Sequence, residues 1–325
     1  MKFLRSFFRR RDTSPKTDIS QRFDLISRLG TGSMSKVWRA MDRNVGRIVA
    51  LKVLDMEKTL RYESRFSDRV KPTEGEVACQ LAHPHIVHTL EHGRTTRGEQ
   101  FLVMELIEGI GLAYLVDVQN DVMQTHRLRI MVELGEAIEY LHKENWIHRD
   151  ICPRNVLVDK DYSTRLIDFG LVVPNTAAFQ EPGNRTGTAN YMAPELIKRQ
   201  RTDQRIDVFS YAVTCYEMFC RSLPWPSVTG ASLEMVLKRI NQKPQEIQEV
   251  VQLDAQIGSA IMKGLDLDPR ERWQTMTEML AQIREAYTRL SPLARKEAVD
   301  KKLGRTTAKK KRRDGFADKW QFKTQ

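Results

Sequence analysis

Apolar and polar side chains alternate in short runs over residues 21–54, with a period of two that is typical of half-buried β-strands. Residues 67–81 follow a helical period instead, which the His-Pro-His at residues 83–85 interrupts. The apolar run over residues 101–106 is typical of one more buried strand. The pattern predicts a small antiparallel sheet accompanied by one helix.

Beyond Gly109 the helical period dominates, beginning with the stripe of a long amphipathic helix. The apolar positions of that stripe are Leu128, Met131, Leu134, Ile138 and Leu141. Four more helical stretches are predicted around residues 207–220, 232–242, 255–264 and 273–288. We therefore expect an α+β fold with two lobes, a sheet-containing lobe over residues 21–107 and a larger, mainly helical lobe over residues 108–289.

Charge separates the ends of the chain from its middle. Residues 1–20 and 290–325 hold net charges of +4 and +8, whereas residues 21–289 are near −1 within a total of +11. We expect both ends to be basic tails. A nucleic-acid groove on the body of the protein has no support from charge.

The four cysteines show neither a CxxC pair nor a dense framework, which argues against a zinc ribbon and against a disulfide-stapled secreted domain. No uncharged apolar run reaches the roughly 18 residues of a membrane-spanning helix. The first residues lack the apolar core of a signal peptide. We expect a cytoplasmic protein.

Two acidic motifs flank an amide side chain in the second lobe. His148-Arg149-Asp150 is followed five residues after the aspartate by Asn155, and then by Asp168-Phe169-Gly170. Three side-chain oxygen ligands of these types suit a hard cation. Helix capping would explain either acid alone, but it explains poorly both acids with Asn155 between them.

This arrangement resembles the catalytic and metal-binding motifs of the eukaryotic-type, or Hanks-type, serine/threonine protein kinases. The resemblance covers residues 22 to about 288 and implies a two-lobed fold with ATP and Mg²⁺ in the cleft between the lobes. It also implies that Asp150 accepts the proton of the acceptor hydroxyl. Asn155 and Asp168 would hold Mg²⁺ against the phosphates.

The start of the first lobe resembles the glycine-rich loop of the same family, except that Ser35 replaces the third glycine. A glycine pair alone is weak evidence, because dinucleotide sites and ordinary turns contain it too. The positions that the resemblance assigns to the nucleotide here are Leu29, Gly30, Thr31, Gly32, Ser33, Val37 and Ala50.

Lys52 ends the apolar run Val-Ala-Leu-Lys and lies 22 residues beyond Gly30. The resemblance assigns it to the α and β phosphates of ATP. Since a lysine in an apolar strand is costly to leave unpaired, we expect a carboxylate partner. Glu74, ten residues before Pro84, is the first choice, and Glu76 is the alternative on another face of the helix.

The end of the predicted strand, Met104-Glu105-Leu106, resembles the hinge that contacts adenine, with Met104 as the gatekeeper. Without the resemblance, these residues are only the end of a buried strand.

Cys152 lies two residues after Asp150, where most serine/threonine kinases carry a lysine whose charge faces the transferred phosphoryl group. Arg154 occupies the position from which many tyrosine kinases supply an arginine, and it is the candidate replacement. The alternative is a surface arginine that only pairs with the activation segment.

Three further motifs resemble the family. The Gly-Thr-x-x-Tyr that contains Thr188 resembles the segment with which serine/threonine kinases select an aliphatic hydroxyl. Glu195, in Ala-Pro-Glu, and Arg272 resemble a buried ion pair at the end of the activation segment. Asp207 resembles the aspartate that braces the catalytic loop.

We therefore predict a serine/threonine protein kinase that transfers the γ-phosphoryl group of ATP to a protein substrate. A pseudokinase that binds nucleotide and scaffolds partners is one alternative, motivated by Cys152 and Ser35. An adaptor that acts through its basic tails is another.

Each tail carries a binding hypothesis and a simpler alternative. Phe3, Leu4, Phe7 and Phe8 would share one helix face ringed by basic residues, which suits docking on an anionic membrane or else belongs to a frayed terminus. The basic run over residues 309–313 suits an acidic partner or nucleic acid, or else is a solvated tail.

Overall fold

A computed structural model of the chain describes residues 16–31, 34–66, 71–182, 185–225, 241–292 and 295. The fold divides into two units. The first is Met1–Leu81 with His88–Leu106, and the second is Ala82–Val87 with Ile107–Gln325. The predicted nucleotide residues Gly32 and Ser33, most of the helix predicted at 232–242 and nearly all of both basic tails lie outside the described residues.

The first unit contains a five-stranded antiparallel sheet in the order β1-β2-β3-β5-β4. Its strands are β1 Phe23–Thr31, β2 Ser35–Asp42, β3 Arg47–Leu54, β4 Thr89–Arg94 and β5 Gln100–Met104. One face of the sheet buries a hydrophobic cluster that consists of Phe23, Ala40, Val49, Leu51, Phe101 and Val103. The alternation over residues 21–54 correctly predicts β1, β2 and β3, and the apolar run over residues 101–106 predicts β5, whereas the pattern does not predict β4.

Three helices accompany this sheet within the described residues, namely α1 Ile19–Arg22, α2 Met56–Glu63 and α3 Glu74–Ala78. A 3-10 turn at Ser64–Phe66 follows α2. The pattern does not predict α1 or α2. Helix α3 is shorter than the predicted helix, because Thr73 caps its first turn by accepting the Glu76 N–H, and the Thr73 N–H in return donates to the Glu76 side chain.

The second unit is mainly helical. Its helices within the described residues are α4 Leu112–Val118, α5 Asp121–Lys143, α6 Ala177–Gln180, α7 Pro194–Ile197, α8 Arg205–Cys220, α9 Ile247–Val250, α10 Ala255–Gly264 and α11 Met276–Leu290. Helix α5 buries the predicted stripe except for the half-buried Leu128. Together the two units confirm the predicted α+β class. Among the helices described, none combines the length and apolar character that crossing a bilayer requires.

Short strands hold the loops of the second unit in place. They are β6 Gly109–Gly111, β7 Trp146–Ile147, β8 Val156–Asp159, β9 Thr164–Leu166 and β10 Val173–Pro174. Strand β7 pairs with β10, and β8 pairs with both β6 and β9. The loop over residues 148–155 therefore runs between two anchored strands, as does the loop over residues 167–172.

Candidate active site

One face of the first unit's sheet, opposite the hydrophobic cluster, carries four of the residues assigned to the nucleotide. Val37 pairs with Lys52, and Lys52 pairs with Leu102 on the next strand. Ala50 pairs with Met104 one row away. Because side chains two positions apart on a strand point to the same side, these five residues share one face.

The glycine-rich segment is described only in part. Gly30 pairs with Val37 across β1 and β2, the backbone of Thr31 pairs with Lys36, and the Leu29 side chain is exposed. Ser35 is the first residue of β2 and is buried, so it belongs to the strand and not to the loop tip.

Lys52 and Glu74 form a buried ion pair. The Lys52 Nζ donates to Glu74 Oε1 at 2.5 Å, and both side chains are about 5% exposed. In such surroundings either charge alone would be strongly destabilising, so each residue accounts for the burial of the other. Glu76, the alternative partner, instead takes part in the cap of α3.

The hinge residues continue from β5. Met104 is buried at the end of the strand, and Glu105 and Leu106 are half-buried. The Glu105 N–H donates to the His88 carbonyl at 3.0 Å, and the His88 N–H donates to the Glu105 side chain at 2.9 Å. These two bonds tie the start of the hinge to the chain just before β4.

In the second unit, Asp207 of α8 holds the loop that precedes Asp150. Its carboxylate accepts the backbone N–H of His148 at 2.7 Å and that of Arg149 at 2.8 Å, and it contacts His142 Nε2 at 3.0 Å. Burial acts to raise the pKa of Asp207, but the His142 contact and the other hydrogen bonds outweigh it and hold the pKa below its usual value.

Arg149 needs this support, because its backbone lies in the left-handed region with φ of 71°. Such a conformation is uncommon outside glycine and persists where surrounding contacts determine it. The buried His148 ring packs edge-on against Phe169, with ring centroids 5.6 Å apart. Burial lowers the pKa of His148, although nearby acids such as Asp207 oppose the shift.

Asp150 lies at the centre of a hydrogen-bonded group. The Asn155 Nδ2 donates to Asp150 Oδ2 at 2.9 Å and to its backbone carbonyl at 2.8 Å. The Thr188 N–H donates to Asp150 Oδ1 at 2.6 Å. Asn155, five positions away, and Thr188, 38 positions away, thereby orient one carboxylate.

Gly187 makes the approach of Thr188 possible. Its φ is 129°, and a Cβ placed on it would lie 2.6 Å from the Arg149 carbonyl oxygen. Only glycine can pass so close to that oxygen in this conformation.

The pairing of β8 with β9 brings Asn155 and Asp168 to the same end of a hairpin. Asn155 directly precedes β8, and one residue separates Asp168 from the end of β9. Val156 of β8 pairs with Leu166 of β9. The Asn155 carbonyl also accepts the N–H of Ile167 at 3.0 Å. The Asp168 Oδ1 accepts the N–H of Gly170 at 3.0 Å.

Cys152 is buried, and its Sγ lies 3.7 Å from Thr188 Oγ1. Burial raises the pKa of the Cys152 thiol to about 11, and the neighbouring Asp150 carboxylate acts in the same direction. The thiol is therefore neutral at ordinary pH. It brings no positive charge to the site.

Arg154 is exposed, and its Nη2 donates to the same Thr188 hydroxyl at 3.1 Å. Its charge also favours ionisation of Glu217, whose pKa burial raises above its usual value in spite of a hydrogen bond from Tyr191. The guanidinium of Arg154 thus lies beside the group that orients Asp150.

A second buried ion pair lies beyond this site in the sequence, between Glu195 of α7 and Arg272. The Arg272 guanidinium donates two bonds of 2.7 Å to the Glu195 carboxylate, and both side chains are almost fully buried. The same guanidinium lies over the Phe209 ring at 4.8 Å. The pairing predicted from the resemblance is therefore present.

The sequence model of the protein kinase domain matches residues 23–283. The chain belongs to the protein kinase family. The two units are accordingly the sheet-containing and helical lobes of the protein kinase fold.

Among curated kinases, the chain is 28% identical to a probable serine/threonine-protein kinase of Clostridium perfringens over 82% of this chain and 38% of that protein. It is 28% identical to the serine/threonine-protein kinase PknB of Mycobacterium tuberculosis over 89% of this chain and 46% of that protein. The chain spans less than half the length of these relatives.

Two residues of the candidate site have no signal in the sequence. His142 contacts Asp207 from 65 positions away, and Glu217 accepts the Tyr191 hydroxyl from 26 positions away. No local pattern marks either residue, because each lies on a helix whose periodicity explains it as ordinary helix surface or core.

Proposed function

We propose that the chain is a serine/threonine protein kinase that transfers the γ-phosphoryl group of ATP to a hydroxyl of a protein substrate. The observation that carries the proposal is the Asp150 carboxylate, oriented by Asn155 and by the backbone of Thr188. A carboxylate held in this way can accept the proton of an aliphatic hydroxyl and orient its oxygen. The names of the relatives support the same activity.

In this proposal the first unit binds the nucleotide. Lys52, held by Glu74, binds the α and β phosphates. Met104, Glu105 and Leu106 contact the adenine, through backbone groups other than the Glu105 N–H, which already donates to His88. The remaining nucleotide positions are Leu29, Gly30, Thr31, Gly32, Ser33, Val37 and Ala50.

Asn155 and Asp168 fit a bound Mg²⁺. The Asn155 side-chain nitrogen donates to Asp150, so the side-chain oxygen of Asn155 is the atom that can bind a cation. Asp168 adds a carboxylate, and oxygen atoms of both types suit a hard cation. Such an ion would neutralise charge on the phosphates.

The transfer itself follows from these positions. The acceptor oxygen forms a bond to the γ-phosphorus, the bond from that phosphorus to the bridging oxygen breaks, and the hydroxyl proton passes to Asp150. The Thr188 contact supports a serine or threonine acceptor, as the family resemblance implies. Arg154 supplies the cation beside the reacting group that the neutral Cys152 cannot supply.

One observation favours a second candidate. The buried, neutral Cys152 in place of a lysine is what a nucleotide-binding pseudokinase would also carry. In that case ATP would bind without transfer, and the chain would act as a scaffold.

The basic ends add a proposal about location. The net charges of +4 and +8 on the tails, against about −1 on the body, support contact of residues 1–20 with an anionic membrane. The same segregation supports contact of residues 290–325 with an acidic partner or nucleic acid. A cytoplasmic kinase, peripheral at a membrane, would result.

The proposed role of Asp150 is tested by transfer of radiolabel from ATP to a generic basic protein substrate. Asp150→Asn keeps the shape of the side chain and removes the proton acceptor, so we expect the rate to fall about 10²–10⁴-fold. The matched control is Asp161→Asn, at an exposed turn position, with an unchanged rate expected. Equal rates for the two variants would contradict the assignment.

A further inference from the structure

Helix α3 carries a glycine directly after the glutamate that pairs with Lys52. A Cβ placed on Gly75 would lie 2.5 Å from Cγ and 2.8 Å from Nδ1 of His92, and nearer still to the His92 Cβ. Carbon atoms in ordinary contact are about 3.5–4.0 Å apart. Only a residue without a side chain fits at this point of the helix.

His92 cannot easily move aside, because the atom closest to Gly75 is its Cβ, which rotation of the side chain does not displace. The backbone of His92 is fixed by the sheet, since it pairs with Leu102 of β5. Leu102 in turn pairs with Lys52 of β3. His92, Leu102 and Lys52 therefore occupy one row across three adjacent strands.

Helix α3 packs against the row of strand residues that includes Lys52, the ion-pair partner of Glu74. The helix is only five residues long, begins at the Thr73 cap and packs against β4 and β5. Such a short helix is held in place mainly by its packing. The separation between α3 and β4 thus determines how far Glu74 must reach to meet the Lys52 Nζ at 2.5 Å.

We propose that Gly75 is a positioning residue for phosphoryl transfer. Its bare backbone against His92 lets α3 approach β4 closely enough for Glu74 to hold Lys52. The inference rests on the proposed function, which assigns Lys52 to the phosphates of ATP. A side chain at this position moves the helix outward by about 1 Å, the difference between the available space and an ordinary carbon contact.

The test compares Gly75→Ala, His92→Gly, the double variant and the wild type. His92→Gly is needed because alanine would retain the Cβ that closes the gap. We expect Gly75→Ala to lower kcat/KM for ATP about 100-fold, the effect of a 1 Å misplacement in an active site. We expect the double variant to recover most of that loss.

Gly258→Ala is the matched control. Gly258 also lies in a helix, but its added Cβ would meet the amide end of the Gln248 side chain, which can move. We expect no change in kcat/KM. A comparable loss in this control would attribute the effect to glycine replacement in general and would overturn the proposal.

A second comparison separates positioning from general damage. If Gly75 acts through Glu74, Gly75→Ala will lower kcat/KM by less than about 3-fold in a Glu74→Gln background, because the ion pair is already impaired there. An undiminished 100-fold loss in that background would contradict the proposal.

Crystal structures of the same variants give a readout that does not depend on catalysis. The Lys52 Nζ to Glu74 Oε1 distance will stay near the wild-type 2.5 Å in the double variant and exceed hydrogen-bond distance in Gly75→Ala. An intact pair in Gly75→Ala would overturn the inference. A wild type that transfers no phosphoryl group would refute the proposed function, while this distance would still decide the role of Gly75.

If Gly75→Ala does not fold, the double variant decides. Recovery of a folded protein with the ion pair intact supports the proposal. Failure of His92→Gly to restore folding shows that the His92 contact is not the cause and contradicts it.

Discussion

At the scale of single residues, the site depends on where its positive charge lies. Arg154 donates to the Thr188 hydroxyl, and the Thr188 N–H donates to Asp150. The positive charge of Arg154 is thus linked through Thr188 to Asp150, the proposed base, whereas the Cys152 thiol is neutral. An arginine keeps its charge at any ordinary pH and can contact phosphate oxygens through a planar fork.

We predict that Arg154→Ala lowers kcat about 100-fold, as removal of one donor from a developing charge does in other enzymes. Arg154→Lys should retain part of the rate, because the charge remains while the fork is lost. Adding Cys152→Lys to Arg154→Ala should restore activity if a cation near the phosphoryl group is what matters. Steady-state kinetics at saturating ATP measure all three.

The control for these variants is Arg61→Ala, since Arg61 is a largely exposed arginine of α2. Its kcat should equal that of the wild type. An unchanged kcat for Arg154→Ala would show that Arg154 is an ordinary surface arginine.

The roles of single residues could be predicted where the intervals between them in the sequence indicate a shared function. The intervals among Asp150, Asn155 and Asp168 indicate their shared site, and the apolar strand around Lys52 indicates a need for a partner. The contact between Gly75 and His92 could not be predicted, because it arises from the packing of a helix on a strand. Nothing in the sequence near either residue marks their approach.

At the scale of elements, the ion pair between Glu195 and Arg272 joins α7 to the chain before α11. Arg272→Met leaves a buried carboxylate without its partner. We predict a loss of about 3–5 kcal/mol in the free energy of unfolding, measured by urea denaturation. Replacing Glu195 by Leu as well should cost less than the sum of the two single changes, since no charge is then left unpaired.

Arg270→Met is the comparison for this pair, because Arg270 is largely exposed and its partner Asp268 is also accessible to solvent. Surface ion pairs contribute little to stability, so the unfolding curve should barely change. A loss as large as that of Arg272→Met would mean that burial is not the cause.

The elements also show why some helices are predictable and others are not. Helix α5 is 23 residues long and buries apolar residues over several turns from Ile130 to Leu141, so its period can be recognised. Helix α2 buries only Thr59 and Tyr62, and its Met56 and Leu60 are exposed, so its apolar pattern is misleading. The start of α3 depends on the Thr73 cap and not on periodicity.

At the scale of the whole molecule, charge is segregated into the ends of the chain. The membrane hypothesis predicts that the protein co-sediments with anionic liposomes and that deletion of residues 1–12 reduces the bound fraction severalfold. Neutral liposomes and the C-terminal deletion of residues 309–325 serve as controls. Equal binding before and after deletion of residues 1–12 would contradict the membrane hypothesis and show that this end is a solvated terminus.

The proposed activity requires that the chain transfers phosphoryl groups and does not only bind ATP. The most direct measurement is the single-turnover rate of γ-phosphoryl transfer to serine, threonine and tyrosine versions of one basic peptide, with Asp168→Ala as the blank. We predict Mg²⁺-dependent transfer to the serine and threonine peptides, negligible transfer to the tyrosine peptide and none by the blank. Saturable ATP binding without transfer to any peptide would contradict the account and identify a pseudokinase.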